Sequence, residues 1–305
     1  MLVFSDSTKY TENIINLKPV WVKYNPDRSE LMPMHLIKRL FTSTNILKAE
    51  CDYIPICKYA FITEHAEQSQ FSILMDILRD DNNFRDGILC LAGSGQNFKG
   101  YRNRKWESLQ GNIHLSLFLN PDRPVKNFHT GFTILSAVSV VQTIDSIPSL
   151  RDKASIKWVN DIMIDGAKVS GVLTQTQTQG DKVSGVLLGI GLNVRTTPTL
   201  QKDLFVPQAT SLCEYAECTE ANVLQKLLEN ISRNYKILND GGYDILLDIY
   251  RRYSFIISRE VSVYSDPVDG PPQMTAQGKV LEIGENLELY LKDFQEPITR
   301  GRIVI

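Results

Sequence analysis

Apolar and polar positions alternate along this chain with two different periods. Val20, Val22 and Tyr24 alternate with Trp21 and Lys23 like a short strand over 19–24, stopped by Asn25-Pro26-Asp27, and Leu36 to Leu47 suits a helix. From Ser69 to Leu78 the apolar residues Phe71, Leu74, Met75 and Leu78 fall at helical spacing. Asp86-Gly87 marks a turn into the unbroken apolar run Ile88-Leu89-Cys90-Leu91-Ala92, which predicts a buried strand. A polar, glycine-containing stretch over 93–111 follows, then a strand over 112–119 and a long apolar helix over 128–143. A strand starts at Ile156-Lys157-Trp158 and turns at Asp165-Gly166; two more, 169–176 and 183–194, flank Gln179-Gly180-Asp181. Helical patterns return at 223–238 and 243–253. Beyond Ser254 come short alternating segments at 261–264, 276–283, 287–291 and 303–305, the pattern of a small β-barrel.

Strands joined by turns this short pair antiparallel, because parallel neighbours need long crossovers. The expected fold is therefore α+β: a mixed, mainly antiparallel sheet with helices on one side over 59–255 and a small barrel over 256–305. Residues 1–58 form an N-terminal extension to which no role attaches.

Composition narrows the function. Of 305 residues, 43% are hydrophobic and 22% charged, enough apolar material for a sizeable core. The formal net charge of −2 lacks the basic surplus of a phosphate-gripping protein, so nucleic acid is not an expected partner. No run reaches the ~18 apolar residues that span a bilayer. The N-terminus, Met1 to Asp6, lacks a basic, apolar leader pattern. The five cysteines are odd in number and loosely spaced; Cys213 and Cys218 are too far apart for a CxxC zinc site. Reduced thiols in a cytoplasmic protein are the expectation.

Three segments carry candidate chemistry. Lys99-Gly100-Tyr101-Arg102-Asn103-Arg104-Lys105-Trp106 joins a permissive glycine to cations suited to a phosphate or carboxylate; the plainer alternative is a solvated basic loop. Lys157-Trp158-Val159-Asn160-Asp161 sets a lysine at a strand; it either faces a developing negative charge or pairs with Asp161. Gly189-Ile190-Gly191-Leu192-Asn193 puts two glycines inside a strand, where a ligand or another backbone comes close, and an Asn able to read a purine edge; the alternative is a bulge. His65, His114 and His129 are scattered without metal spacing, no metal ligands are predicted, and no GxSxG or P-loop occurs.

Together and in this order the segments resemble the biotin protein ligase (holocarboxylase synthetase) family. The family's R-x-W-x-S-x-x-G-N-L reads here as Arg104 to Ile113, its K-W-P-N-D as Lys157 to Asp161, its K-[LIV]-[AS]-G-[IV]-L as Lys168 to Leu173, and its G-[IV]-G-[LI]-N as Gly189 to Asn193. The resemblance covers about 60–305. It implies a class II synthetase-like biotin/lipoate ligase catalytic domain followed by an SH3-like barrel. It also implies a two-step reaction, in which biotin and ATP with Mg²⁺ give biotinyl-5′-AMP and the biotin then passes to a lysine of a carboxylase carrier domain.

By resemblance, Lys157 is the catalytic residue. Gln68, Ser69, Gln70, Gln96, Lys99, Gly100, Lys157, Gly171 and Gly191 face biotin, while Lys99, Tyr101, Arg102, Arg104, Trp106 and Asn193 face the adenylate. Carrier domains are the implied partners, and a homodimer is compatible with the family. The chain also departs from the pattern. Lys99 stands where the family has an arginine, Phe98 where it has a glycine, and Val159 where it has a proline; Gln96 is one residue out of register. The family's helix-opening S-T-N matches Ser43-Thr44-Asn45 by letter and Gln68-Ser69-Gln70 by position, and position is preferred. The rivals are a lipoate ligase, whose RR-x-x-GGG-x-x-x-HD run is absent, and a biotin-responsive DNA-binding repressor.

Overall fold

The computed structural model describes residues 1–25, 34–53, 56–80, 86–200, 204–206, 208–266 and 270–305. In chain order, one sheet collects β1 (Leu2–Ser5), β2 (Val22–Lys23), β3 (Leu47–Glu50), β4 (Tyr59–Ala66), β5 (Ile88–Gly95), β6 (Ile113–Leu119), β7 (Ala154–Lys157), β8 (Asp161–Ile164), β9 (Ala167–Gln179) and β10 (Lys182–Leu192). Across the sheet the order is β2-β3-β1-β4-β5-β6-β10-β9-β8-β7. Among the described strands only β1–β4 and β4–β5 run parallel, so the mixed, mainly antiparallel reading stands. The β9–β10 hairpin turns at Gly180, whose φ of +63° suits a residue without a Cβ.

The helices are α1 (Thr8–Ile15), α2 (Met34–Leu40), α3 (Gln70–Asp80), α4 (Phe128–Asp145), α5 (Glu220–Asn239) and α6 (Tyr243–Tyr253). They do not lie on one side. Successive strand residues point to opposite faces, and both faces here are apolar. Ala60, Ile62, Leu89, Leu91, Leu117 and Leu188 join the core under α4, α5 and α6. Phe61, Ile88, Cys90, Phe118 and Leu187 join a second core with Leu36 and Leu40 of α2 and Leu74 and Ile77 of α3. The unbroken apolar run of β5 is the signature of a strand covered on both faces, so the one-sided expectation is corrected. Helix α4 is apolar nearly all round because it is sandwiched between the sheet and α5 and α6. Two of its buried hydroxyls accept from α5: Asn234 Nδ2 donates to Ser139 Oγ and Asn230 Nδ2 to Thr143 Oγ1, both at 2.9 Å.

The N-terminal segment is built into the same sheet. Val3 and Phe4 of β1 are buried, and the Phe4 ring stacks on Phe61 at 5.2 Å. The boundary expected at 58/59 is therefore not an edge of the sheet. Likewise, the helix expected over 36–47 stops at Leu40, and β3 follows from Leu47. The single strand expected from 156 to the turn at 165 is two, β7 and β8, folded on each other at Trp158-Val159-Asn160.

The C-terminal residues form a separate four-stranded antiparallel sheet. It contains β11 (Glu260–Tyr264), β12 (Met274–Ile283), β13 (Leu289–Leu291) and β14 (Arg302–Val304), in the order β13-β12-β11-β14. Side-chain donors from the large unit tie it in: Trp158 Nε1 to the Leu287 carbonyl at 2.7 Å and Arg251 Nε to the Ile283 carbonyl at 2.8 Å.

Candidate active site

A cavity of about 620 Å³ opens over the ends of β9 and β10. Its floor is glycine because side chains from elsewhere lie across the strands. A Cβ at Gly191 would sit 2.3 Å from the Trp106 ring, and one at Gly189 would sit 2.7 Å from Phe71. The close approach predicted for these glycines is thus made, within the chain itself, by aromatic rings.

The basic loop folds back on itself to form one wall. Gly100 N donates to the Arg104 carbonyl at 2.7 Å and Trp106 N to the Phe98 carbonyl at 2.9 Å. Phe98, where the resemblance expects glycine, packs over Gly95, whose Cβ would meet its ring at 2.4 Å, and edge-on to His114. Trp106 is anchored in turn: its Nε1 donates to His114 Nδ1 at 3.2 Å, and His114 Nε2 contacts the Leu109 carbonyl at 3.0 Å. That carbonyl can only accept, so the ring carries its proton on Nε2 and presents a bare Nδ1 to the indole. Burial lowers the His114 pKa to about 4, which keeps the ring neutral and able to accept.

Among the described residues five cations line the cavity, Lys99, Arg104, Lys105, Lys168 and Arg302, against two carboxylates, Glu107 and Asp161. The balance favours an anionic ligand. Both carboxylates are ion-paired, Asp161 with Lys168 at 2.5 Å and Glu107 with Lys105 at 2.7 Å. Lys168 Nζ also lies 5.8 Å from the Trp106 ring centroid. Phe71, Leu115, Val172 and Ile190 supply apolar wall, and Ser69, Asn160 and Asn193 supply polar groups. Asn193 is 1% exposed; its Nδ2 donates to the Thr210 carbonyl at 3.0 Å, while its Oδ1 is a buried acceptor with no partner among the described residues. An orphaned acceptor on a cavity wall needs a donor from a ligand or water.

The expected site residues divide into two groups. Ser69, Lys99, Gly100, Tyr101, Arg104, Trp106, Gly171, Gly191 and Asn193 all line this one cavity. Ser69 opens α3 and accepts from Ser72 N at 3.4 Å, whereas Ser43-Thr44-Asn45 lies exposed in a bend before β3. Gln68, Gln70, Gln96, Arg102 and Lys157 are not in the wall. Gln68 and Gln96 are exposed, Gln70 is buried beneath with its Nε2 donating to the Leu91 carbonyl, and Arg102 pairs with Asp266 of the C-terminal unit at 3.5 Å.

Lys157 is 9% exposed, and its Nζ donates to the Phe205 carbonyl at 2.5 Å. The Phe205 ring is held under the Arg302 guanidinium at 3.6 Å and edge-on to Tyr264. The ion-pair alternative for Asp161 is met by Lys168 rather than Lys157. Sequence reasoning passed over Phe71, His114, Asn160, Lys168 and Arg302. Only Lys168 and Asn160 stood inside quoted motifs, and Arg302 lies more than 100 residues further along the chain from either.

Fold and site together define an α+β protein with a cationic, aromatic-walled pocket at the ends of sheet strands. More specifically, residues 80–193 match the model of the biotin/lipoate A/B protein ligase family. The chain is 34% identical over 215 residues to the bifunctional ligase/repressor BirA of Bacillus subtilis, covering 70% of this chain and 63% of that protein. It thus spans somewhat under two thirds of that relative's length. It is 31% identical over 105 residues to the biotin–[acetyl-CoA-carboxylase] ligase of Paracoccus denitrificans, covering 33% of this chain and 41% of that protein. In fold it is similar to the biotin protein ligase of Aquifex aeolicus in complex with biotin and ATP, with a TM-score of 0.60, 24% identity, and coverage of 81% of this chain and 97% of that one.

Proposed function

We propose that this protein is an ATP-dependent biotin protein ligase. It forms biotinyl-5′-AMP and passes biotin to a lysine on the carrier domain of a biotin-dependent carboxylase. The observation that carries the reading is the convergence of all four motif segments on one cavity: Trp106 of the basic loop lies across Gly191, beside Lys168 and Gly171, with Asn160 in the same wall.

The first step joins two anions, a carboxylate and the α-phosphate of ATP, so cations must offset their repulsion. Lys99, Arg104 and Lys168 face the cavity for this role. Lys157, held here by the Phe205 carbonyl, is assigned to the reacting atoms by its place in the Lys157–Asp161 motif. Asn193 Oδ1 is an acceptor for the exocyclic amine of adenine, and Trp106 a surface for its ring. Ser69 with the apolar wall of Phe71, Leu115 and Ile190 suits the uncharged ring end of biotin. The basic loop, closed over the mixed anhydride, excludes water until an acceptor lysine attacks the carbonyl and AMP leaves.

Mg²⁺ would enter on the phosphates, as that ion keeps few protein ligands. Among the described residues Asp161 and Glu107 are the carboxylates that line the cavity and would hold it, and it would supply charge neutralisation. We read residues 256–305 as an SH3-like barrel, residues 59–255 as the catalytic domain, and the location as cytoplasmic. Among the described residues no helix is long and apolar enough to cross a membrane. Residues 2–5, 22–23 and 47–50 are strands of the main sheet.

Labelled biotin incubated with the protein and ATP, then gel-filtered, should co-elute as adenylate only when both substrates are present. Label bound equally without ATP, or no label bound at all, would remove the ligase reading.

A further inference from the structure

Two of the five cysteines that the sequence sets apart are brought together by the fold. Cys213 Sγ lies 3.3 Å from Cys218 Sγ and 3.4 Å from the Cys218 carbonyl. The pairing follows from how the chain leaves the pocket. Leu212 N donates to the Asn193 carbonyl at 3.1 Å and Cys213 N to the Val194 carbonyl at 2.8 Å, which straps the turn to the end of β10. A few residues later Thr219 caps α5, accepting from Asn222 N. Between the two anchors the chain must reverse, and the reversal sets the thiols side by side. The other three cysteines are placed differently: Cys57 and Cys90 are buried, and Cys51 is half-buried just after β3, five strands from β10 in the sheet order.

We infer that Cys213 and Cys218 form a redox-active dithiol that exchanges with small-molecule disulfides to close a reversible Cys213–Cys218 disulfide. Cys213 is exposed, so it makes the first attack. Cys218 is half-buried and its thiol is pushed up to about 12 by burial, so it does not make the first attack; its place 3.3 Å from Cys213 makes the second step intramolecular. Cys213 loses its proton and attacks one sulfur of the small disulfide. A mixed disulfide forms, and one small thiolate leaves to take up that proton. The Cys218 sulfur then attacks Cys213, gives up its own proton and expels the second small thiol. Two protein thiols are oxidised, one small disulfide is reduced, and no other reactant is consumed. The bond needs the sulfurs to close to about 2 Å, a short move for two side chains on one turn. Exposed disulfides of this kind are the labile ones, and in reducing compartments those that form are mostly transient or sensing. The ring would close directly behind the turn that fixes Asn193.

The test uses the full-length native protein equilibrated in buffers of graded oxidised-to-reduced glutathione ratio, acid-quenched, unfolded and alkylated. Two of the five thiols should become unreactive together, with loss of two hydrogen masses on the peptide spanning 213–218, reversed by dithiothreitol. Cys218→Ser should stop at a glutathione adduct on Cys213, and Cys213→Ser should leave Cys218 unmodified. Circular dichroism of both variants confirms that they are folded. A wild-type protein that keeps five reactive thiols, accumulates the Cys213 adduct unresolved, or links either cysteine to Cys51, Cys57 or Cys90 would overturn the inference. None of these readouts depends on what the pocket binds.

Discussion

Trp106 shows how few atoms hold the pocket's shape. Its ring lies on Gly191 and its Nε1–H points at a neutral imidazole. Gly191→Ala puts a methyl 2.3 Å from that ring, so the indole must swing out or the strand must give, at roughly 1–3 kcal/mol. Expected are greater acrylamide quenching of tryptophan fluorescence and at least a tenfold rise in KM for ATP; unchanged quenching and KM would show that the ring does not need the glycine. For His114 the folded pKa is depressed, to about 4 from 6.5. Below pH 6.5 the unfolded chain therefore takes up a proton that the folded chain refuses, and stability falls as pH drops towards 4. Urea unfolding should show the wild type losing about 2 kcal/mol more than His114→Gln between pH 7 and pH 5; equal losses would mean the ring is already protonated or exposed. Lys157→Met should remain folded yet lose adenylation by about a hundredfold or more. An active but thermally weakened variant would assign Lys157 a structural role at Phe205 instead. At this scale, sequence located the glycines and Asn193 because strands rarely hold such residues without reason. It could not find His114, whose role depends on an indole eight residues away, or Arg302, which a different sheet delivers.

At the scale of elements, long periodic segments were legible and short ones were not. Helix α6 falls on its predicted span, and the hairpin of β9 and β10 is where the turn signal put it. Strand β1 has four residues, too few for a period to emerge, yet it lies between β3 and β4 with Val3 opposite both Ala49 and Ala60. Proline at Val3 removes a ladder donor from a strand paired on both edges and leaves a buried carbonyl unsatisfied, at about 1–3 kcal/mol. Val3→Pro should lower the melting temperature of the whole large unit in a single transition. A loss confined to early, partial unfolding would show the N-terminal strands to be an independent appendage. The division of α2 and α3 from α4, α5 and α6 was also hidden, because an unbroken run such as Ile88 to Ala92 tells that both faces are covered but not by what.

As a whole, the molecule places its pocket where three parts meet: the glycine-bearing strands, the basic loop, and the C-terminal sheet that brings Arg302 over Phe205 and Asp266 to Arg102. The cavity's cationic balance and its apolar wall suit ligands that are anionic at one end and uncharged at the other, a description that biotin and a nucleotide share. The most direct measurement is ATP–pyrophosphate exchange with each candidate acid in turn. The account predicts exchange that depends on biotin, saturates with it, and is not stimulated by lipoate. Exchange driven equally by lipoate, or by lipoate alone, would contradict it.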